Sequence, residues 1–92
     1  MLRFDWDPAK ATANVKKHGV SFEEASTAFG DPFQIDIDDP DHSGSEDRFI
    51  IIGKSDRGRL LITAYSEAEP SHVRIITSRN ATRRERKDYE KA

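Results

Sequence analysis

The 92 residues are 35% hydrophobic and 35% charged, with a formal net charge of −2 and no cysteine. That length supports one domain with a modest core, and the missing cysteines exclude a disulfide framework and a thiolate metal site. No run approaches a membrane span and no apolar stretch follows Met1-Leu-Arg-Phe-Asp-Trp-Asp as a secretion signal requires, so a cytosolic chain with no membrane partner is expected.

The near-neutral total hides two opposed halves. Residues 1–47 hold four Lys/Arg against eleven Asp/Glu, and residues 48–92 hold eleven against six. Leu2 to Trp6 suits a short strand. Asp7-Pro8 then starts a helix, with Asp7 as N-cap and Pro8 in the first turn. It runs from about Ala9 to Lys17 and stops at His18-Gly19, where glycine supplies a left-handed cap. Ser21 and Glu24 form a capping box for a second helix, with Val20 and Ala25 as its hydrophobic staple. Phe22, Ala25 and Phe29 recur at helical spacing, and Gly30-Asp31-Pro32 ends the helix.

Phe33, Ile35 and Ile37 alternate with Gln34, Asp36 and Asp38, the pattern of a strand with one buried face. Residues 38–47 read as an acidic loop. Arg48 to Lys54 is the next strand, Ser55-Asp-Arg-Gly a tight turn, and Arg59 to Ser66 its hairpin partner. A second turn over Glu67 to Ser71 leads to a strand from His72 to Arg79. Thr82 and Glu85 then make a capping box for a last helix that starts near Asn80 or Thr82. The fold class expected is α+β: a small antiparallel sheet with two N-terminal helices and one C-terminal helix, in a single domain over 1–92. Alternation puts Arg74, Ile76 and Ser78 on one face of the last strand and Val73, Ile75 and Thr77 on the other.

The chemistry-bearing residues gather in the basic half. The strand ending at Arg79 runs almost directly into a helix carrying Arg83, Arg84, Arg86 and Lys87. Guanidinium is a planar fork of donors that does not deprotonate, which suits a phosphate-bearing partner. Arg48, Lys54, Arg74 and Arg79 fall at strand ends or beside a partly open face, a pattern that suits an RNA backbone and equally a solvated surface sheet. Cleavage of RNA by its own 2′-hydroxyl needs a base, an acid and stabilisation of the charged phosphorane, and arginine serves the last role best. His42, His72, Glu46, Glu67 and Tyr65 are the candidate proton carriers. His18, beside a cap glycine, reads as structural. Asp36, Asp38, Asp39 and Asp41 lack the spacing of a calcium loop and read as a solvated acidic loop or a docking surface for a basic partner. No metal or cofactor is expected.

Several segments, in order, resemble the BrnT family, toxins of bacterial type II toxin–antitoxin pairs. They are Phe4-Asp-Trp-Asp-Pro-Ala-Lys, Asn14-Val-Lys-Lys-His-Gly-Val-Ser-Phe-Glu-Glu-Ala, Phe29-Gly-Asp-Pro, Glu46-Asp-Arg, Ile52-Gly, and Arg74-Ile-Ile-Thr-Ser-Arg through Tyr89. The resemblance implies a RelE-like fold and a metal-independent endoribonuclease that inhibits translation. It implies neutralisation by a cognate ribbon-helix-helix antitoxin, BrnA-like, through which alone promoter DNA is contacted. On that reading Arg48, Tyr65, Arg74, Arg79 and Glu46 form the catalytic set, with the arginines on the phosphate and Tyr65 and Glu46 orienting substrate or carrying protons. Lys54, Arg83, Arg84, Arg86 and Lys87 bind RNA. Two departures stand out: Thr77-Ser78 replaces the family's usual Ser-Ala, and the turn Glu67 to His72 replaces a segment with Thr, Glu and Arg. The missing arginine keeps open a second reading, a catalytically degenerate module that holds the antitoxin and co-represses transcription. A third is a toxin of the same fold that poisons another target, such as gyrase.

Overall fold

The N-terminal helices begin and end where local chemistry puts them. In the computed structural model, which describes residues 2–38 and 48–91, helix α1 spans Pro8–His18. The Asp7 carboxylate accepts the Ala9 N–H, and Gly19 closes the helix at φ 70°. Helix α2 spans Phe22–Thr27 and continues into a 3₁₀ turn at Ala28–Gly30. The capping box at its start is half formed. Ser21 Oγ accepts the Glu24 N–H at 3.0 Å, but the Glu24 carboxylate turns away to Ser55 and Arg59. Burial explains the diversion: Glu24 is 6% exposed, and a buried carboxylate needs a cation more than it needs a backbone N–H.

Strands β1 (Arg3–Asp5), β2 (Ile35–Asp38), β3 (Arg48–Lys54), β4 (Leu60–Glu69) and β5 (His72–Asn80) form one sheet in the order β1-β5-β4-β3-β2. Strands β2 to β5 are an antiparallel meander. β1 joins β5 in parallel, so the sheet is mixed and not wholly antiparallel as expected. Hairpin turns dictate the direction of neighbouring strands, whereas the direction of a strand delivered from the far end of the chain is set by tertiary packing. Phe33 lies outside β2 and is 72% exposed, so the buried face expected of residues 33–37 reduces to Ile35.

A bulge re-phases β5. Ala64 pairs with Thr77 and Tyr65 with Ile75, which leaves Ile76 as the extra residue. Ser78 therefore moves to the face of Val73 and Ile75, where it is buried and meets the Thr63 hydroxyl at 2.9 Å. Thr77 and Arg79 move to the face of Arg74. Simple alternation assigned the opposite sides, because it carries no record of an inserted residue.

Each sheet face has its own core. On one, Val20, Phe22 and Ala25 pack on Ile51, Leu61, Tyr65, Val73 and Ile75. Gly53 allows a close approach there, since a Cβ at that position would lie 2.7 Å from the Ala28 carbonyl oxygen. On the other, Ile52, Leu60 and Ile62 pack with Ile35, Ile50, Ala81 and Tyr89 beneath helix α3 (Arg83–Lys91). Among the bonds that hold α3 down, the Ala81 N–H before it reaches Leu60 O at 2.9 Å, and the Tyr89 hydroxyl donates to Asp31 Oδ2 at 2.5 Å. Among the described residues no helix is long and apolar enough to cross a membrane.

Candidate nucleic-acid interface

Helix α3 covers only the end of its sheet face where β3 and β5 finish and β4 begins. The other end carries a polar row across four strands: Arg48 pairs with Ser66, Ser66 with Arg74, and Arg74 with Asp5. With strands about 4.8 Å apart, the Cα atoms of Arg48 and Arg74 stand roughly 10 Å apart on one face. His72 belongs to the same group. Its Nε2 lies 2.7 Å from Asp5 Oδ2, while Arg74 Nη1 donates to Asp5 Oδ1 at 2.9 Å. Burial works against the Asp5 charge, but the bond from His72 and the charge of Arg74 outweigh it and hold the carboxyl below its ordinary range. The Arg74 side chain remains half exposed. His72 Nδ1 and Arg48 Nε are buried and have no hydrogen-bond partner among the described residues.

The structure thus brings Arg48 and Arg74 of the expected set together and adds His72 and Asp5. Tyr65 is elsewhere. It lies on the opposite sheet face, 5% exposed, with its ring centroid 5.0 Å from that of Phe29 and 5.6 Å from that of Phe49. Its hydroxyl donates to Asp36 Oδ1 at 2.7 Å, and burial first, then this bond, push its pKa well up. Arg79 shares the face of Arg74, but its fork is occupied: Nη1 and Nη2 donate to the two Glu85 oxygens, each at 2.8 Å. The bond from Arg79 is the largest influence on Glu85 and holds that carboxyl down at about 2. Glu85 also completes the capping box, since its Oε1 accepts the Thr82 N–H and Thr82 Oγ1 accepts the Glu85 N–H.

Lys54 is exposed at the opposite end of β3 from Arg48, six residues or roughly 20 Å away. Arg83, Arg84 and Lys87 line an open groove along α3 with Asp88 and Lys91, and Arg86 is exposed on the same helix. Glu46 and His42 lie outside the described residues. The residue that sequence reasoning left without a role is Asp5. Its signal was present, an acid between Phe4 and Trp6 on the polar side of a strand, but its partners lie 67 and 69 positions away.

What the arrangement offers chemically is two guanidinium groups on one sheet face, Arg48 partly buried and Arg74 half exposed, a carboxylate held between His72 and Arg74, and a basic helix crossing the same face. A family model described as the ribonuclease toxin BrnT of type II toxin–antitoxin systems matches residues 6–85. The crystal structure of the Brucella abortus ribonuclease toxin BrnT aligns with a TM-score of 0.65 and 18% identity, over 90% of this chain and 100% of that one. At that identity the likeness concerns the fold. No curated protein matches the chain. Because the family match runs from just after the first strand into the last helix, the chain belongs to the BrnT family of ribonuclease toxins of type II toxin–antitoxin systems.

Proposed function

We propose that this chain is a metal-independent endoribonuclease of RelE-like type that cuts RNA in the cytosol and so inhibits translation. The observation that carries this reading is the row Arg48–Ser66–Arg74–Asp5, with His72 alongside, on the end of the sheet face that α3 does not cover. In the reaction the substrate 2′-oxygen attacks the adjacent phosphorus, the 2′ O–P bond forms and the 5′ O–P bond breaks. The products are a 2′,3′-cyclic phosphate and a free 5′-hydroxyl. Arg48 and Arg74 place permanent positive charge where the phosphorane charge develops. The 2′-hydroxyl proton passes to solvent water and the leaving 5′-oxygen takes a proton from water, while His72, with Nε2 on Asp5 and Nδ1 buried, holds Asp5 in place beside Arg74. Tyr65 supports the sheet from behind, and Arg79 anchors α3, whose Arg83, Arg84, Arg86 and Lys87 add affinity for the RNA backbone, as does Lys54. A ribbon-helix-helix antitoxin neutralises the chain and makes the contacts to promoter DNA.

The test is cleavage of RNA by purified protein in the presence of a chelator, with analysis of the product ends. Arg74→Ala is expected to lower the rate about 100-fold or more while leaving the far-UV circular dichroism unchanged. A folded Arg74→Ala variant that cuts at the wild-type rate would remove this face from the reaction. The degenerate-module reading rests on the 67–72 turn, which has no arginine, and a wild-type protein that binds antitoxin but leaves RNA whole and growth normal would establish it.

A further inference from the structure

Beyond the arginine row, the outer edge of β5 opens into a cleft. β1 pairs only with His72 to Arg74, so β5 loses its neighbour from Ile75 onward, at the place where the bulge leaves Ile76 unpaired with β4. Helix α1 overhangs this edge and leaves an open cleft of about 290 Å³, whose lining includes Lys10, Ala13, Lys17, His18, Ile76 and Thr77. Lys10 and Lys17 stand two helical turns apart, about 10 Å along the axis. Both are exposed, and neither takes part in an ion pair among the described residues.

We infer that this cleft holds one unstacked nucleotide of the RNA strand as it leaves the arginine row; the inference rests on the ribonuclease reading. Three features support it. The lining includes Ala13, Ile76 and His18 beside Asn14, apolar and aromatic residues that suit the face of a base. The rim carries two flexible ammonium groups, which suits the flanking phosphates. Thr77 joins the cleft to the arginine row: it lines the cleft, is exposed, and through its pairing with Ala64 lies on the face of Arg74. Thr77 lies three positions along the strand from Arg74, roughly 10 Å, so a single strand of RNA crosses from one to the other without a break. The volume sits at the lower limit for ligand clefts, about 300 Å³, which suits one base and not a stacked run.

The experiment measures binding of a labelled 2′-O-methyl RNA, which cannot be cleaved, across a salt series, together with cleavage kinetics on unmodified RNA. The double variant Lys10→Gln/Lys17→Gln is expected to bind roughly tenfold more weakly at moderate salt. Its salt slope should be shallower by about 1.4, two phosphate contacts at about 0.7 each. Cleavage at saturating RNA should be retained, so the loss falls in KM and not in kcat. Lys16→Gln, an exposed charge on α1 outside the cleft, is expected to change neither quantity. Unchanged affinity in the double variant, or an equal loss per charge from Lys16→Gln, overturns the inference and, if wild-type protein cuts RNA, leaves the ribonuclease reading intact. Wild-type protein that neither binds nor cuts RNA overturns both.

Discussion

Asn14 does for the outer edge of β5 what a neighbouring strand would otherwise do. Its Nδ2 donates to Ser78 O at 2.8 Å and to Val20 O at 2.9 Å, and its Oδ1 accepts the Ser78 N–H at 3.2 Å. Asn14→Leu strips three buried backbone groups of their partner, and a loss of about 3 kcal/mol is expected by urea unfolding. Ser78 is thereby fixed to α1, which also holds the cleft wall against β5. Glu85 works at the same scale at the other end of the face. Its carboxyl is held at about 2, against 4.5 ordinarily, by Arg79 first and by Thr82. A carboxyl depressed by folding contributes stability that is complete above its unfolded value and is lost as pH falls through its folded value. Between pH 4.5 and 2 the wild-type protein should therefore lose stability more steeply than Glu85→Gln. Parallel acid titrations of the two proteins would disprove the coupling. Arg48, Arg74 and Asp5 show the limit of reading residues singly. Each was visible as a charge, but neither the row across the sheet nor the bond from His72 is encoded in local spacing.

Among the elements, the close seat of the 3₁₀ turn on β3 depends on Gly53, whose position leaves no room for a methyl group beside the Ala28 carbonyl. Gly53→Ala forces backbone to shift, and a cost of about 1–3 kcal/mol is expected from the midpoint of denaturant unfolding. Helix limits were legible because caps are local. Asp7, Gly19, Ser21 and the Thr82–Glu85 box sit where the sequence puts them. Two features escaped because they answer to burial and pairing. Glu24 abandons its box for Arg59, and the bulge at Ile76 inverts the faces of Thr77 and Ser78. The second of these matters for function, because it brings Thr77 and Arg79 to the face of Arg74.

At the scale of the molecule, the opposed charges of the two halves become a basic helix and an arginine row on one face of the sheet. Under the proposed function RNA binding is then governed by phosphate contacts. The triple variant Arg83→Gln/Arg84→Gln/Lys87→Gln should reduce the slope of log affinity against log salt by about 2, with little change in thermal stability, since all three side chains are exposed. An unchanged slope would take α3 out of the RNA path. By itself the sequence determined the α+β class, the order of the elements, their caps and the concentration of cationic groups after residue 48, because each depends on neighbours a few positions apart. Only the tertiary structure decided that β1 runs parallel to β5, that Asp5 joins His72 and Arg74, that Tyr65 faces the core and that Arg79 is already paired. Those outcomes depend on which distant segments share a sheet and on which charges burial forces together, and no local pattern records either.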